Sequence, residues 1–173
     1  MRTIDIPNSA KITDELTEYI DNYIQQNNPS EFATKLDARD IVAKCPIIAN
    51  WFTKNSHTVK NCYLIIAQPN TNYQAHVDGA VAASDRLPAL NFGIHNISDT
   101  YTVMYKHIGG EIVIKRLPNG VPYKCYSQAE LEEVGRFTLA SPVLFNAATP
   151  HAVHNPTDKI RVSVSFRFNE EYV

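Results

Sequence analysis

The stretch 160–168 constrains this chain more than any other. Ile160, Val162, Val164, Phe166 and Phe168 alternate with Arg161, Ser163, Ser165 and Arg167. Residues two apart on a strand share a face, so this strand is apolar on one side and polar on the other along its whole length. Two arrangements satisfy it. The polar face meets water, or helices cover the apolar face and leave Arg161 and Ser163 pointing into a cavity.

The N-terminal region supplies helices for the second arrangement. Ile12, Leu16, Tyr19, Ile20, Tyr23 and Ile24 recur at helical spacing. Asp14 and Glu15 sit near the positive end of the helix dipole, and Thr13 reads as the N-cap. Asn27-Asn28-Pro29-Ser30 ends the pattern. A second helical region over 37–53 contains Pro46, which either kinks it or divides it into two short helices. Such helices need an apolar surface to pack on, and the last strand offers one.

Beyond Ser56 the texture changes to short runs rich in Val, Ile, Tyr and Phe separated by turn residues. Strands are expected near 61–68, 73–79, 88–95, 100–107, 110–116, 136–140, 142–146, 150–155 and 159–168, a spacing that predicts a sandwich or barrel. Pro118-Asn119-Gly120 marks a turn, and the small, polar stretch 80–85 is expected to be a mobile loop. The charged segment 124–136 reads as an excursion from the sheet with one helical turn at 128–133.

Composition bounds the function classes. At 173 residues the chain is expected to form one domain, 1–173, with a helical region over about 10–55 and a β core over about 60–169. Hydrophobic residues at 44% exclude wholesale disorder. A net charge of -2 argues against a general nucleic-acid binder. The longest unbroken apolar run, 63–67, falls far short of the roughly 20 residues that a membrane helix needs. The first ten residues lack the apolar core of a secretory signal. Cys45, Cys62 and Cys125 are widely spaced and form no CxxC pair, which argues against thiolate zinc and a disulfide framework and for a cytoplasmic setting.

Two of the six histidines stand in informative contexts. His76-Val77-Asp78 places an imidazole and a carboxylate on one strand face, although such a triplet arises by chance with odds of roughly 0.3. His151 follows 75 residues later, and Arg161-Val162-Ser163 follows that. The ordered combination has a chance frequency on the order of 1% or less. Two imidazoles and a carboxylate on one face of a metal leave open positions, the arrangement of non-haem iron sites, although Zn(II), Mn(II) or Ni(II) could also bind. An Arg with a Ser two residues on can clamp a carboxylate through charge-assisted hydrogen bonds.

With those residues in view, the sequence resembles the 2-oxoglutarate/Fe(II)-dependent dioxygenases. The run Gln68-Pro69-Asn70-Thr71-Asn72-Tyr73-Gln74-Ala75-His76-Val77-Asp78 is similar to the strand that delivers the His-x-Asp pair in the prolyl hydroxylase-like branch. Pro142-Val143-Leu144-Phe145-Asn146, His151-Ala152-Val153-His154-Asn155 and Arg161-Val162-Ser163 resemble the C-terminal part of the aspartyl/asparaginyl β-hydroxylase-like branch, and Arg86-Leu87-Pro88-Ala89-Leu90 resembles its Arg-containing strand. The likeness spans about 61–168. The sequence departs at Ala67, where prolyl hydroxylases carry Tyr, at Asn70, where they carry Gly, and at Pro88, where the other branch often carries His. Asp78 is present where many of that second branch lack the carboxylate.

The resemblance implies a double-stranded β-helix, or jelly roll, with two or three N-terminal helices packed on one sheet. It implies that His76, Asp78 and His151 bind Fe(II), and that Arg161 with Ser163 holds the distal carboxylate of 2-oxoglutarate. It places Tyr73, Arg86 and Asn91 among the cosubstrate contacts. The implied reaction uses O2 to hydroxylate an amino-acid side chain in a peptide, a protein or a free amino acid, with succinate and CO2 as coproducts. Two alternatives stay open at this point: a jelly-roll module that binds a metal or organic acid without turnover, and a cupin-like metalloenzyme that would recruit His95 or His107.

Overall fold

The computed structural model describes residues 2–78, 87–116, 120 and 122–168. Its helices are α1 (Ser9–Asn27), α2 (Ala38–Lys44) and α3 (Pro46–Lys54). Its strands are β1 (Arg2–Thr3), β2 (Ala33–Leu36), β3 (Val59–Ala67), β4 (Thr71–Asn72), β5 (His76–Val77), β6 (Pro88–His95), β7 (Tyr101–His107), β8 (Ile112–Arg116), β9 (Pro122–Tyr126), β10 (Leu131–Phe137), β11 (Val143–Asn146), β12 (His151–Asn155) and β13 (Arg161–Phe168). Two antiparallel sheets result, in the orders β1-β11-β6-β13-β3-β2 and β10-β7-β12-β5-β9-β8, with β4 on β12. They face each other as a jelly roll.

β13 lies centrally in the first sheet between β6 and β3, and all eight of its residues are buried. Its apolar face joins the principal core, where Val162, Val164, Phe166 and Phe168 meet Ile12, Leu16 and Ile20 of α1, Ile41 of α2, and Ile48 and Phe52 of α3. Phe52 sits 5.1 Å from Phe166 and 5.6 Å from Phe168, ring centre to ring centre. Burying one such side chain stabilises the fold by about 1.5–3 kcal/mol, so the helices fix which face of β13 is outer. The polar face is thereby turned inward, and the second of the two arrangements holds.

Local chemistry sets the helix boundaries. α1 begins at Ser9 rather than at Thr13; its N-cap is Asn8, with left-handed backbone (φ 62°) and no side-chain cap bond. It ends at Asn28, also left-handed, whose backbone N–H donates to the Ile24 carbonyl. Pro46 divides the second helical region, because proline has no N–H to donate and is tolerated at a first turn. The opening of α3 is capped from a distance, since both Glu15 carboxylate oxygens accept from the Ile47 N–H, at 3.0 and 3.2 Å. Replacing Glu15 by Ala is expected to cost about 1 kcal/mol, the usual value of a lost cap, read as a lowered denaturant midpoint with unchanged slope.

Three strand readings change. The segment read as an excursion at 124–136 is two strands, β9 and β10, joined by a single 3₁₀ turn at Gln128–Glu130. Its charges misled because Glu132, Glu133 and Arg136 lie on an exposed edge strand where solvated side chains cost nothing. The expected strand at 136–140 is the end of β10, and the expected strand at 73–79 is the short β5 alone. The Ala33–Leu36 edge strand carries too little apolar pattern to be read as one. Residues 80–85 lie outside the described residues. No described helix is long and apolar enough to cross a membrane.

Candidate metal centre

β5 and β12 are neighbours in the second sheet, and their register sets His76 directly opposite His151. The two imidazoles lie 4.6 Å apart, centre to centre. Asp78 follows β5, where its backbone N–H donates to the Ala147 carbonyl at 3.2 Å and so ties it to the turn ahead of β12. One ligand atom from each of His76, Asp78 and His151 falls within 4.8 Å of the other two. Asp78 Oδ1 is 3.6 Å from His76 Nε2 and 3.8 Å from His151 Nε2.

The same local device orients both rings. His76 Nδ1 lies 3.0 Å from the Gln74 carbonyl, and His151 Nδ1 lies 2.9 Å from the Thr149 carbonyl. A carbonyl only accepts, so each neutral imidazole carries its proton on Nδ1 and turns the Nε2 lone pair toward Asp78. Burial, with His76 alongside, pushes the His151 imidazole down to about 4. Burial would raise the Asp78 carboxyl, yet Arg167 and the two imidazoles outweigh it and hold it at about 2. Near neutral pH the set therefore presents a neutral His151 and an ionised carboxylate, the protonation states that a divalent transition metal requires.

These residues open into a cavity of about 470 Å³ between the sheets, within the range of small-molecule sites. Its far wall is the polar face of β13. Arg161 is 2% exposed; its Nη2 donates to Thr102 Oγ1 at 3.4 Å, while Nε and Nη1 are buried without a hydrogen-bond partner among the described residues. Burial pushes its guanidinium down to about 10, still charged at neutral pH. A buried, half-unpaired guanidinium is costly unless an anion completes it. Asn155 fixes where β13 begins, because its fully buried amide donates to the carbonyls of Ala67, Gln68 and Lys159 at 2.8–3.0 Å.

Of the other expected contacts, Ser163 is buried beside Arg161 and lines the cavity. Tyr73 lines it too, its ring 4.0 Å from Phe32 and its hydroxyl accepting from the Gln68 N–H at 3.1 Å. Asn91 lines it as part of a polar chain that ends at the carboxylate. Arg86 lies outside the described residues. His154, three residues past His151, faces away and stacks on Tyr101 at 5.1 Å.

Arg167 is the site residue that sequence reasoning left unassigned. Its Nη2 donates to Asp78 Oδ2 and its Nη1 to Ser165 Oγ, and Ser165 in turn donates to Asn91 Oδ1 at 2.5 Å. One carboxylate oxygen is thus held by Arg167, while the other faces the two imidazoles. The alternation of β13 already put Arg167 on the face of Arg161, but its partner comes 89 residues earlier in the chain. Cys125 pairs in register with His76 and lines the cavity beside Tyr123.

No protein-family model and no curated protein matches the sequence. Among solved structures, the chain is similar to the non-heme α-ketoglutarate-dependent carbocyclase SnoK from nogalamycin biosynthesis, with a TM-score of 0.56 and 8% identity over 93% of this chain and 76% of that one. It also matches Bacillus subtilis oxalate decarboxylase at pH 4.6, with a TM-score of 0.42 and 10% identity over 87% of this chain. The chain spans only 29% of that oxalate decarboxylase. At 8% identity the likeness to SnoK establishes the jelly-roll fold and nothing finer.

Proposed function

We propose that this chain is a 2-oxoglutarate- and Fe(II)-dependent dioxygenase that hydroxylates an amino-acid side chain in a peptide, a protein or a free amino acid. The observation that carries the reading is Arg161. A buried guanidinium edge with no partner among the described residues shares one cavity with two imidazoles and a carboxylate grouped for a metal. A metal that chelates one end of a dicarboxylate while an arginine binds the other is the chemistry of a 2-oxoglutarate site.

In this reading His76, Asp78 and His151 hold Fe(II), and Arg161, with Ser163 and Thr102 beside it, holds the distal carboxylate of the cosubstrate. Iron and 2-oxoglutarate, when bound, supply the activation of O2, one oxygen atom ending in succinate and the other in the new hydroxyl group. The chain's own part is placement and exclusion. Arg167 keeps Asp78 ionised and turned so that one oxygen faces the histidines. Phe137, Leu139, Phe145 and Val153 line the cavity with apolar surface that keeps water from the reacting atoms. No side chain is needed as a general base.

The cupin-like alternative requires a further imidazole. His95 Nε2 instead pairs with Asp21 at 2.7 Å, and His107 packs on Tyr126 at 5.0 Å; neither lines the cavity. This supports the dioxygenase reading over one that recruits either histidine.

The test is anaerobic addition of Fe(II) and then 2-oxoglutarate, read as the visible metal-to-ligand charge-transfer band of the chelate. The wild type should give the band. His76→Ala should abolish it, and Arg161→Ala should demand at least about 100-fold more 2-oxoglutarate, as expected for a lost charge-assisted pair of about 3 kcal/mol. Metal binding without a band in the wild type would favour the non-catalytic or cupin-like alternative. No metal binding would overturn the site.

A further inference from the structure

β8 is an edge strand of the second sheet, paired with β9 on one side and with no described strand on the other. All five of its residues are exposed. Three of them are β-branched aliphatics: Ile112 is 40% exposed, Val113 45% and Ile114 61%. Soluble proteins normally blunt such an edge with proline, a bulge or inward charge, because its free N–H and C=O groups template pairing with another chain. The register of β8 on β9 runs without a shift over its full length, the strand has no proline, and its two charged residues, Lys115 and Arg116, are confined to one end. The edge is left competent to pair.

The sequence of this edge is complementary to itself. Glu111-Ile112-Val113-Ile114-Lys115 is symmetric about Val113, apolar at the centre with opposite charges at the ends. A two-fold axis perpendicular to an antiparallel sheet pairs residues whose numbers differ by an even count, since facing residues must lie on the same side. An axis through Val113 therefore sets Ile112 opposite Ile114 on one face, twice. On the other face it sets Glu111 opposite Lys115, twice, with the two Val113 side chains between them. An axis through Ile112 or Ile114 loses the Glu–Lys pairing. Branched aliphatic pairs and opposite charges are the cross-strand combinations that stabilise sheets. Lys115 now donates to Gln74 Oε1 at 2.7 Å, and Glu111 is held only by its backbone N–H, which donates to Glu130 Oε1 at 3.2 Å. The Glu111 carboxylate has no described partner.

We infer that β8 is a homodimerisation edge, at which a second copy of this chain pairs antiparallel about Val113 and continues the second sheet across the two-fold axis. The inference is independent of the metal chemistry, although β9, which backs β8, also carries the Tyr123 and Cys125 that line the cavity.

The test is sedimentation velocity on the full chain over about 1 µM to about 1 mM, the span in which modest interfaces associate. The wild type should shift from monomer to dimer, and Ile114→Lys should stay monomeric while keeping the wild-type circular dichroism spectrum and melting temperature. The charge arms fix the register. Glu111→Lys alone and Lys115→Glu alone should each dissociate at least about tenfold more readily, as expected for two lost cross-strand pairs. An equimolar mixture of the two should restore association by pairing unlike edges. A wild type monomeric throughout, a dimer indifferent to Ile114→Lys, or a mixture no tighter than its components would each overturn the inference.

Discussion

Replacing Arg167 by Met is expected to destabilise the metal-free protein by about 3 kcal/mol, the usual cost of stripping a buried charge of its partner. The Asp78 side chain is only 28% exposed, and Arg167 is the strongest influence holding its carboxyl down. Without that guanidinium, the carboxylate faces two imidazoles in a poorly solvated cavity and its proton affinity rises. In a chain of 173 residues the loss corresponds to a fall of about 6–12 °C in melting temperature. A divalent metal should recover much of it, because the ion supplies the missing positive charge. Adding Asp78→Asn to the variant should recover stability without metal, because the double substitution leaves no unpaired charge. Denaturant titrations of wild type, both single variants and the double variant would measure the coupling. A coupling near zero would mean that Asp78 and Arg167 do not act as a pair.

The metal-free protein should also lose stability as pH falls from about 6.5 to about 4, by about 3 kcal/mol from His151 alone. The sign follows from proton uptake. The unfolded imidazole binds a proton near its ordinary value, whereas the folded one resists until about 4 because of burial and neighbouring His76. Between those limits the unfolded state holds more protons, so acid favours unfolding. Asp78 adds a second loss lower down, between its ordinary value of 3.8 and about 2, where the carboxylate that Arg167 stabilises becomes protonated. His151→Leu keeps the apolar burial and removes the titration, so its stability should be nearly flat over the upper window. The same variant should lose metal binding, which separates the two roles of the residue. Equal slopes for variant and wild type between pH 4 and 6.5 would remove His151 as the origin.

The candidate site was legible in the sequence where chemistry and spacing are local. His76 and Asp78 lie on one short segment, and the run from His151 to Arg161 and Ser163 had a low chance frequency, so all five could be singled out before any fold was known. Arg167 could not, because its role depends on a carboxylate 89 residues away that only the packing of the two sheets brings to it. Thr102 shares that limitation, as it reaches the cavity from a strand with no distinguishing pattern. β10 was hidden for another reason: an edge strand carries charged residues at no cost, which erases the alternation that reveals a strand.

By itself the sequence determined the period of the elements that carry an apolar pattern, and hence which of their residues move together. The alternation in β13 committed Arg161, Ser163, Ser165 and Arg167 to one face, and the helical spacing of Ile12, Leu16 and Ile20 committed those residues to one stripe. Which face would be inside was not written there, since a polar face is equally content in water. The tertiary structure decided it. Helices α1 and α3 bury the apolar face of β13, and the apolar area they remove from water outweighs the cost of turning two arginines inward. One of those arginines found its counter-charge in Asp78, and the other keeps half its guanidinium without a partner among the described residues.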